Sequence, residues 1–131
     1  MEITLFDSNV ETKDDYFKIF LKIGLKSPKV SDININFIID IAQNLNNIKK
    51  VFPINAQIKY TTFNNDITIL NIDIPQFNFN NSLSYDELTN MCAIQLIWKI
   101  NNEEFILMIP IFCETNSNNE KIKIEILSPI C

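Results

Sequence analysis

The sequence contains no histidine, no arginine and only one glycine, Gly24, among its 131 residues. Histidine is the commonest general base and a common zinc ligand, so its absence excludes Ser-His and Cys-His nucleophile pairs. A single glycine leaves no glycine-rich loop that could cradle a phosphate. We therefore expect a protein that is not an enzyme, with no catalytic residue, no cofactor and no metal site.

The lack of arginine also bears on nucleic-acid binding. Eleven lysines stand against 16 acidic residues, which gives a net charge of −5. Affinity for phosphate backbones comes from clustered cations, and arginine is the usual reader of guanine. We expect no nucleic-acid partner, and the acidic total favours a basic protein as the partner.

Long hydrophobic runs and a cysteine framework are missing as well. No run of about 18 apolar residues, the length of a membrane-spanning helix, occurs in the chain. The acidic start of the sequence lacks the basic region of a signal peptide. Cys92, Cys113 and Cys131 show no CxxC spacing and make a poor disulfide framework. We expect a cytoplasmic protein without a membrane span.

Isoleucine and asparagine dominate what is present, with 25 and 19 copies. Both residues, like lysine, use AT-rich codons, which indicates an AT-rich genome of a bacterium, a phage or a virus. The apolar fraction of 47% is ample for a core, and 21% charged residues is close to the globular average. We expect one globular domain over residues 1–131.

Strict alternation predicts a strand over residues 16–25, after a shorter strand over residues 2–6. One face of the longer strand would carry Phe17, Ile19, Leu21, Ile23 and Leu25. The opposite face would carry Tyr16, Lys18, Phe20, Lys22 and Gly24.

A helical period follows over residues 32–49, where the apolar positions are Ile35, Ile38, Ile39, Ala42, Leu45 and Ile48. Ser31 is placed to cap this helix, Asp32 and Lys49 complement its dipole, and Pro53 marks a stop. We expect a main helix here. A capping box over residues 84–87 predicts a second, short helix that ends near Met91.

Two hairpins can be predicted together with their registers. A three-residue loop at 64–66 gives the pairs Phe63–Ile67, Tyr60–Leu70, Ile58–Ile72, Ala56–Ile74, Lys59–Asn71 and Gln57–Asp73. A two-residue turn at Asn101-Asn102 gives the pairs Trp98–Phe105, Leu96–Leu107, Ile94–Ile109, Lys99–Glu104 and Ile97–Ile106. A final strand alternates over residues 121–127, after a polar loop at 114–120.

These elements predict an α+β fold in the order β-α-ββ-α-βββ. Its six or seven strands would form a mostly antiparallel sheet with one main helix packed on a sheet face. The order is compatible with a ferredoxin-like or a sandwich-like arrangement.

The functional expectation is a small acidic protein-binding module of the inhibitor or immunity type, which blocks a basic protein by occlusion. The alternative is a structural, assembly or chaperone subunit of a phage particle or a bacterial secretion or virulence machine, with homo-oligomers formed through strand edges. Surface acids near aromatic residues are the candidate partner-binding residues: Asp73, Phe77, Phe79, Asp86 and Glu87.

Overall fold

The computed structural model describes residues 2–27, 29–43, 46–63, 66–78, 91–115 and 121–130, and it places nine β-strands in them. The strands are β1 (Ile3–Thr12), β2 (Phe17–Leu25), β3 (Ser31–Gln43), β4 (Asn46–Pro53), β5 (Gln57–Phe63), β6 (Ile67–Phe77), β7 (Met91–Ile100), β8 (Glu103–Thr115) and β9 (Lys121–Ile126). No residue in the described ranges is helical. The predicted α+β fold is therefore wrong, and the protein is all-β.

The strands form two antiparallel sheets, a four-stranded sheet of order β1-β2-β6-β5 and a five-stranded sheet of order β4-β3-β7-β8-β9. Buried residues of both sheets belong to one hydrophobic core. Phe37 of β3 and Phe77 of β6 meet across it, edge to face, with ring centroids 5.2 Å apart. The arrangement is a β-sandwich, and the ferredoxin-like alternative is wrong.

Strand β2 has the alternation that the sequence predicts. Its inward residues are at most 4% exposed: Phe17, Ile19, Leu21, Ile23 and Leu25. Lys18 and Phe20, between them, are exposed. The strand before it is longer than predicted, because β1 pairs with β2 along its whole length.

The predicted helix over residues 32–49 is wrong, since β3 and β4 form an antiparallel hairpin there. Ile35, Phe37 and Ile39 alternate into the core. Ile38 lies on the opposite face of β3 and is nevertheless only 2% exposed. Phe37, Ile38 and Ile39 are thus buried in succession, so their pattern does not show the alternation of a half-buried strand. The β-branched isoleucines nevertheless favour a strand.

Ser31 and Asp32, predicted at the start of that helix, instead begin strand β3. Asp32 has a positive φ of 50° and lies where the β3–β7 register shifts, between Ser31 and Asn34. The Asn34 side-chain amide donates a hydrogen bond to the Asp32 carbonyl at 3.3 Å. Aspartate tolerates this backbone conformation, so the start of β3 is a β-bulge rather than a helix cap. The predicted second helix falls mainly on residues 79–90, which lie outside the described residues, and Met91 begins β7.

Both predicted hairpin registers are confirmed over the paired strands; the predicted pair Ala56–Ile74 lies outside them, because β5 begins at Gln57. In the β5–β6 hairpin, Phe63 lies opposite Ile67, Tyr60 opposite Leu70 and Lys59 opposite Asn71. In the β7–β8 hairpin, all five predicted pairs occur, from Ile94–Ile109 to Lys99–Glu104. Asn101 and Asn102 have φ values of 51° and 69°, which is the signature of a type I′ turn.

Gly24 lies where β1 passes close to β2. A Cβ atom at position 24 would lie 2.6 Å from Thr4 Oγ1 and 3.1 Å from Leu5 Cβ, beside the register shift in β1. We expect Gly24→Ala to lower the free energy of unfolding by about 1–3 kcal/mol, because overpacking forces these neighbours apart. Urea denaturation measures this loss. In a Thr4→Ala background, which removes the nearest atom, the loss should shrink; an equal loss in both backgrounds would contradict this reason.

Candidate functional site: the outer face of the five-stranded sheet

The five-stranded sheet carries apolar residues on the side that faces away from the core. An antiparallel sheet with one buried face normally turns polar residues to solvent. In β8, Leu107, Ile109 and Ile111 point into the core, so the residues between them point outward. We name the apolar residues of this outward side the apolar outer face; its members are Ile38, Val51, Ala93, Ile97, Ile106, Met108, Pro110 and Phe112. One polar pair lies among them, since the Asn36 side-chain amide donates a hydrogen bond to Gln95 Oε1 at 3.4 Å.

Cross-strand pairing makes this face continuous. Val51 lies opposite Ile38, and Ile38 lies opposite Ala93 on the next strand. Ala93 in turn lies opposite Pro110 of β8. Neighbouring strands are about 4.8 Å apart, so this apolar row crosses four strands and about 14 Å of the sheet. Within the row, Ile38 is only 2% exposed, whereas Val51 is 51% exposed. A second apolar pair, Ile97 with Ile106, extends the face toward the β7–β8 turn.

Several of these side chains are accessible. The exposed fraction is 51% for Val51, 48% for Ile106 and 59% for Phe112. Ile130 is 58% exposed and is attached beside them, because it exchanges two backbone hydrogen bonds with Met108. Contiguous apolar surface of this kind marks interaction sites more often than single exposed residues do.

Charged residues of both signs border the apolar outer face. Lys99 lies opposite Glu104 near the β7–β8 turn, and Glu125 of β9 lies opposite Phe112. A depression of about 400 Å³ adjoins the first pair and is also lined by Asp32 and Asn34. Apolar side chains bordered by charged ones are common in protein–protein interfaces.

The outer face of the four-stranded sheet is more mixed, because charged pairs share it with Leu5 and Phe63, which are 39% and 50% exposed. Glu11 lies opposite Lys18, and Asp7 lies opposite Lys22, so charges of opposite sign alternate across β1 and β2. Phe20 is 42% exposed but stands alone among polar neighbours, opposite Asp73. Its polar cross-strand neighbours, Asn9 and Asp73, make Phe20 a suitable control position for experiments on the other face.

The structure does not bring the predicted binding residues together. Asp73 is exposed on the outer face of the four-stranded sheet. Phe77 is 4% exposed, and its ring packs in the core against Phe37. Phe79, Asp86 and Glu87 lie outside the described residues. A partner-binding role for these five residues stays a prediction.

A cavity opens at the end of the sandwich where β6 ends. It has a volume of about 340 Å³, and its lining residues are Phe37, Phe52, Pro53, Ile54, Asn55, Gln76, Phe77 and Asn78. The Phe37 and Phe52 rings stack with centroids 6.3 Å apart. The described lining residues combine aromatic rings with carboxamides, and none of them is charged.

Two ion pairs join charged side chains next to β1 and β2. Lys13 pairs with Glu11 at 3.7 Å and Lys26 with Glu2 at 3.6 Å, and all four side chains are well exposed. Exposed pairs of this kind contribute little to stability. Within the described ranges, no three metal-ligating side chains cluster. In the same ranges, no helix is long and apolar enough to cross a membrane.

Comparison with protein-family profiles, with curated proteins and with solved structures finds no match to this chain.

Proposed function

We propose that the chain is a small cytoplasmic protein-binding module of the inhibitor or immunity type, which covers a functional surface of a protein partner. The observation that supports the proposal is the difference between the two outer faces. The outer face of the five-stranded sheet exposes Val51, Ile106 and Phe112 within a larger apolar set, whereas the other outer face mixes exposed apolar side chains with cross-strand pairs of opposite charge. Burying such a surface against a partner releases its water and stabilises the complex.

A rigid sheet face suits binding by occlusion. Strands β3, β7 and β8 are each paired on both sides, so the backbone under the apolar outer face is held in place before binding. A preorganised surface loses little conformational entropy when it docks. Blocking a partner in this way requires surface complementarity and no chemistry from the blocking protein.

The net charge of −5 supports a basic partner. Because the rim of the apolar outer face carries both signs, we expect charge to act mainly on the rate of association. Salt should therefore slow the binding of the partner, while the apolar contact keeps the assembled complex together.

Introducing lysines into the apolar outer face tests the proposal. The tagged chain is used to capture its partner from the native host, and the purified partner is assayed for its own activity with and without the chain. We expect a one-to-one complex in which the partner is inactive. The double variant Ile106→Lys with Phe112→Lys should weaken the complex at least tenfold by calorimetry, because two charges would have to be desolvated.

The matched control is Phe20→Lys, a similar change on the outer face of the other sheet. It should leave the affinity within about twofold, since a rim or remote charge has little effect on a docked interface. Loss of binding in Phe20→Lys together with retention in the double variant would contradict the proposed surface. A partner that remains fully active in the complex would contradict occlusion.

One observation favours the alternative function, a structural, assembly or chaperone subunit of a phage particle or a secretion or virulence machine. Strand β5 is an edge strand whose residues from Lys59 to Phe63 are exposed. Open edges can pair with further strands. Capture at about 0.5 M salt, which screens surface charges, distinguishes the two functions. A set of several machine subunits would support assembly, and a single inactivated partner would support inhibition.

A further inference from the structure

The four sheet edges of the sandwich differ in how they are protected. Edge strands normally avoid pairing through charges, prolines, bulges or a covering element. Strand β1 has Asp7, Glu11 and a register shift, and it approaches β9. Strand β4 carries Lys49, Lys50 and Pro53, and β9 carries alternating charges. Three of the four edges thus have recognisable protection.

Among the residues that the structure describes, strand β5 (Gln57–Phe63) is the exception. It contains one charged residue, Lys59, and no proline, and its register with β6 runs without a shift. Tyr60 is 59% exposed although it lies opposite Leu70, which is fully buried. The inward side of β5 therefore extends beyond the core and leaves an aromatic ring uncovered.

The hairpin geometry shows which backbone groups of β5 point outward. Phe63 lies opposite Ile67, and its carbonyl accepts a hydrogen bond from the Asp66 N–H at 3.2 Å. In a three-residue hairpin of this kind the flanking pair is hydrogen-bonded, and such pairs alternate along the ladder. Hence Ile58, Tyr60 and Thr62 direct their N–H and C=O groups away from β6, toward the open edge.

We propose that this edge is a homodimer interface, in which β5 of two copies pairs antiparallel about a two-fold axis at Tyr60. The two four-stranded sheets would join into one continuous sheet of eight strands. Tyr60 would exchange two backbone hydrogen bonds with Tyr60 of the partner subunit. Ile58 would lie opposite Thr62 of the partner subunit, and Lys59 opposite Thr61 of the partner subunit.

The register follows from the strand itself. Tyr60 is the central residue of the seven in β5, and it is one of those whose backbone groups point outward. An axis at Lys59 would set two ammonium groups directly opposite each other, which is unfavourable. An axis at Thr61 would leave Gln57 and Ile58 without partners in the ladder. Only the axis at Tyr60 pairs all seven residues and keeps the charges apart.

A second copy of this chain fits the edge because the strand is complementary to itself. Two-fold contacts place the same residues on both subunits, so each copy satisfies the other. The exposed Tyr60 rings would cover each other, and aromatic pairs across strands are favourable. The interface is short, so we expect a dissociation constant in the micromolar range.

Disulfide trapping tests the register. Tyr60→Cys in a Cys131→Ser background should give a covalent dimer on mild oxidation, because the two sulfurs would meet at the axis. Phe63→Cys in the same background is the matched control. The two copies of residue 63 would be about 20 Å apart along the strands, so this variant should not cross-link. No dimer from Tyr60→Cys, or equal yields from both variants, would overturn the proposal.

Sedimentation velocity over a wide concentration range tests the association without a cross-link. The native chain should shift from monomer to dimer as its concentration rises. Tyr60→Lys should raise the dissociation constant at least tenfold, since it sets two charges opposite each other, whereas Phe63→Lys should change it less than threefold. A native chain that is monomeric throughout would overturn the proposal. Ile106→Lys with Phe112→Lys should still dimerise, so failure of this inference and failure of the proposed function can be told apart.

Discussion

Replacing Phe37 by alanine is expected to lower the free energy of unfolding by about 3–5 kcal/mol. Phe37 is 4% exposed and contacts the rings of Phe52 and Phe77, so its loss removes two aromatic pairs. It also lines the cavity of about 340 Å³. The new void would add to this space, because strands paired on both sides cannot collapse into it. Denaturation by guanidinium, followed by fluorescence and circular dichroism, measures the loss.

The control is Phe112→Ala, at a phenylalanine that is 59% exposed. We expect a change within about 0.5 kcal/mol, which is usual at surface positions. The comparison also tests the strand assignment of β3, since a helix over residues 32–49 would place Phe37 outside its apolar stripe. A loss below about 1 kcal/mol in Phe37→Ala would contradict the sandwich core described above.

The double variant Asn101→Val with Asn102→Val should cost about 2–4 kcal/mol of stability, at about 1–2 kcal/mol for each left-handed residue. Both asparagines have positive φ, which β-branched side chains tolerate poorly. The turn joins β7 to β8 at the apolar outer face, so strain here would act on the whole five-stranded sheet. Thermal and urea unfolding should report the same loss.

Two further variants separate turn strain from the mere loss of asparagine. Asn102→Gly keeps the turn conformation accessible and should hold or raise the stability by up to about 1 kcal/mol. Asn71→Val makes the same chemical change inside β6, where the backbone is extended, and should cost far less than the double variant. Equal losses in Asn71→Val and the double variant would contradict the type I′ turn.

The hairpins could be predicted from sequence because pairing rules act locally. At Asn101-Asn102, cross-strand partners such as Trp98 with Phe105 match only in one register. At the β5–β6 hairpin, Lys59 finds a polar partner, Asn71, only when the loop has three residues. In both hairpins the turn residues, the apolar–polar alternation and the cross-strand partners predict the same register. A one-residue slip would move every side chain to the wrong face of the sheet.

Strand β3 was mispredicted because it buries side chains on both faces. Phe37 and Ile39 point into the core, and Ile38 is buried on the outer face. Burial on both faces removes the alternation from which a strand is recognised, and helix and strand patterns then coincide over short runs. The all-β architecture could not be obtained once this hairpin had been assigned to a helix.

Only part of the apolar outer face could be predicted from the sequence. The predicted pairing already set Ile97 opposite Ile106 on the face away from Trp98, which was a signal of an apolar outer face. The contribution of Val51 depends on the β3–β4 hairpin, so it could not be predicted. Phe77, predicted to be a surface residue, belongs to the core instead, because β6 continues past Pro75 and ends at Phe77.

Side-chain footprinting of the captured complex tests the central claim, that the apolar outer face of the five-stranded sheet binds the partner. Carbene labelling modifies exposed side chains, and in the free chain it should reach Val51, Ile106, Phe112 and Phe20. In the complex, we predict strong protection of the first three residues and unchanged labelling of Phe20. Protection of Phe20 while Ile106 and Phe112 stay fully labelled would place the partner on the other sheet and contradict the account.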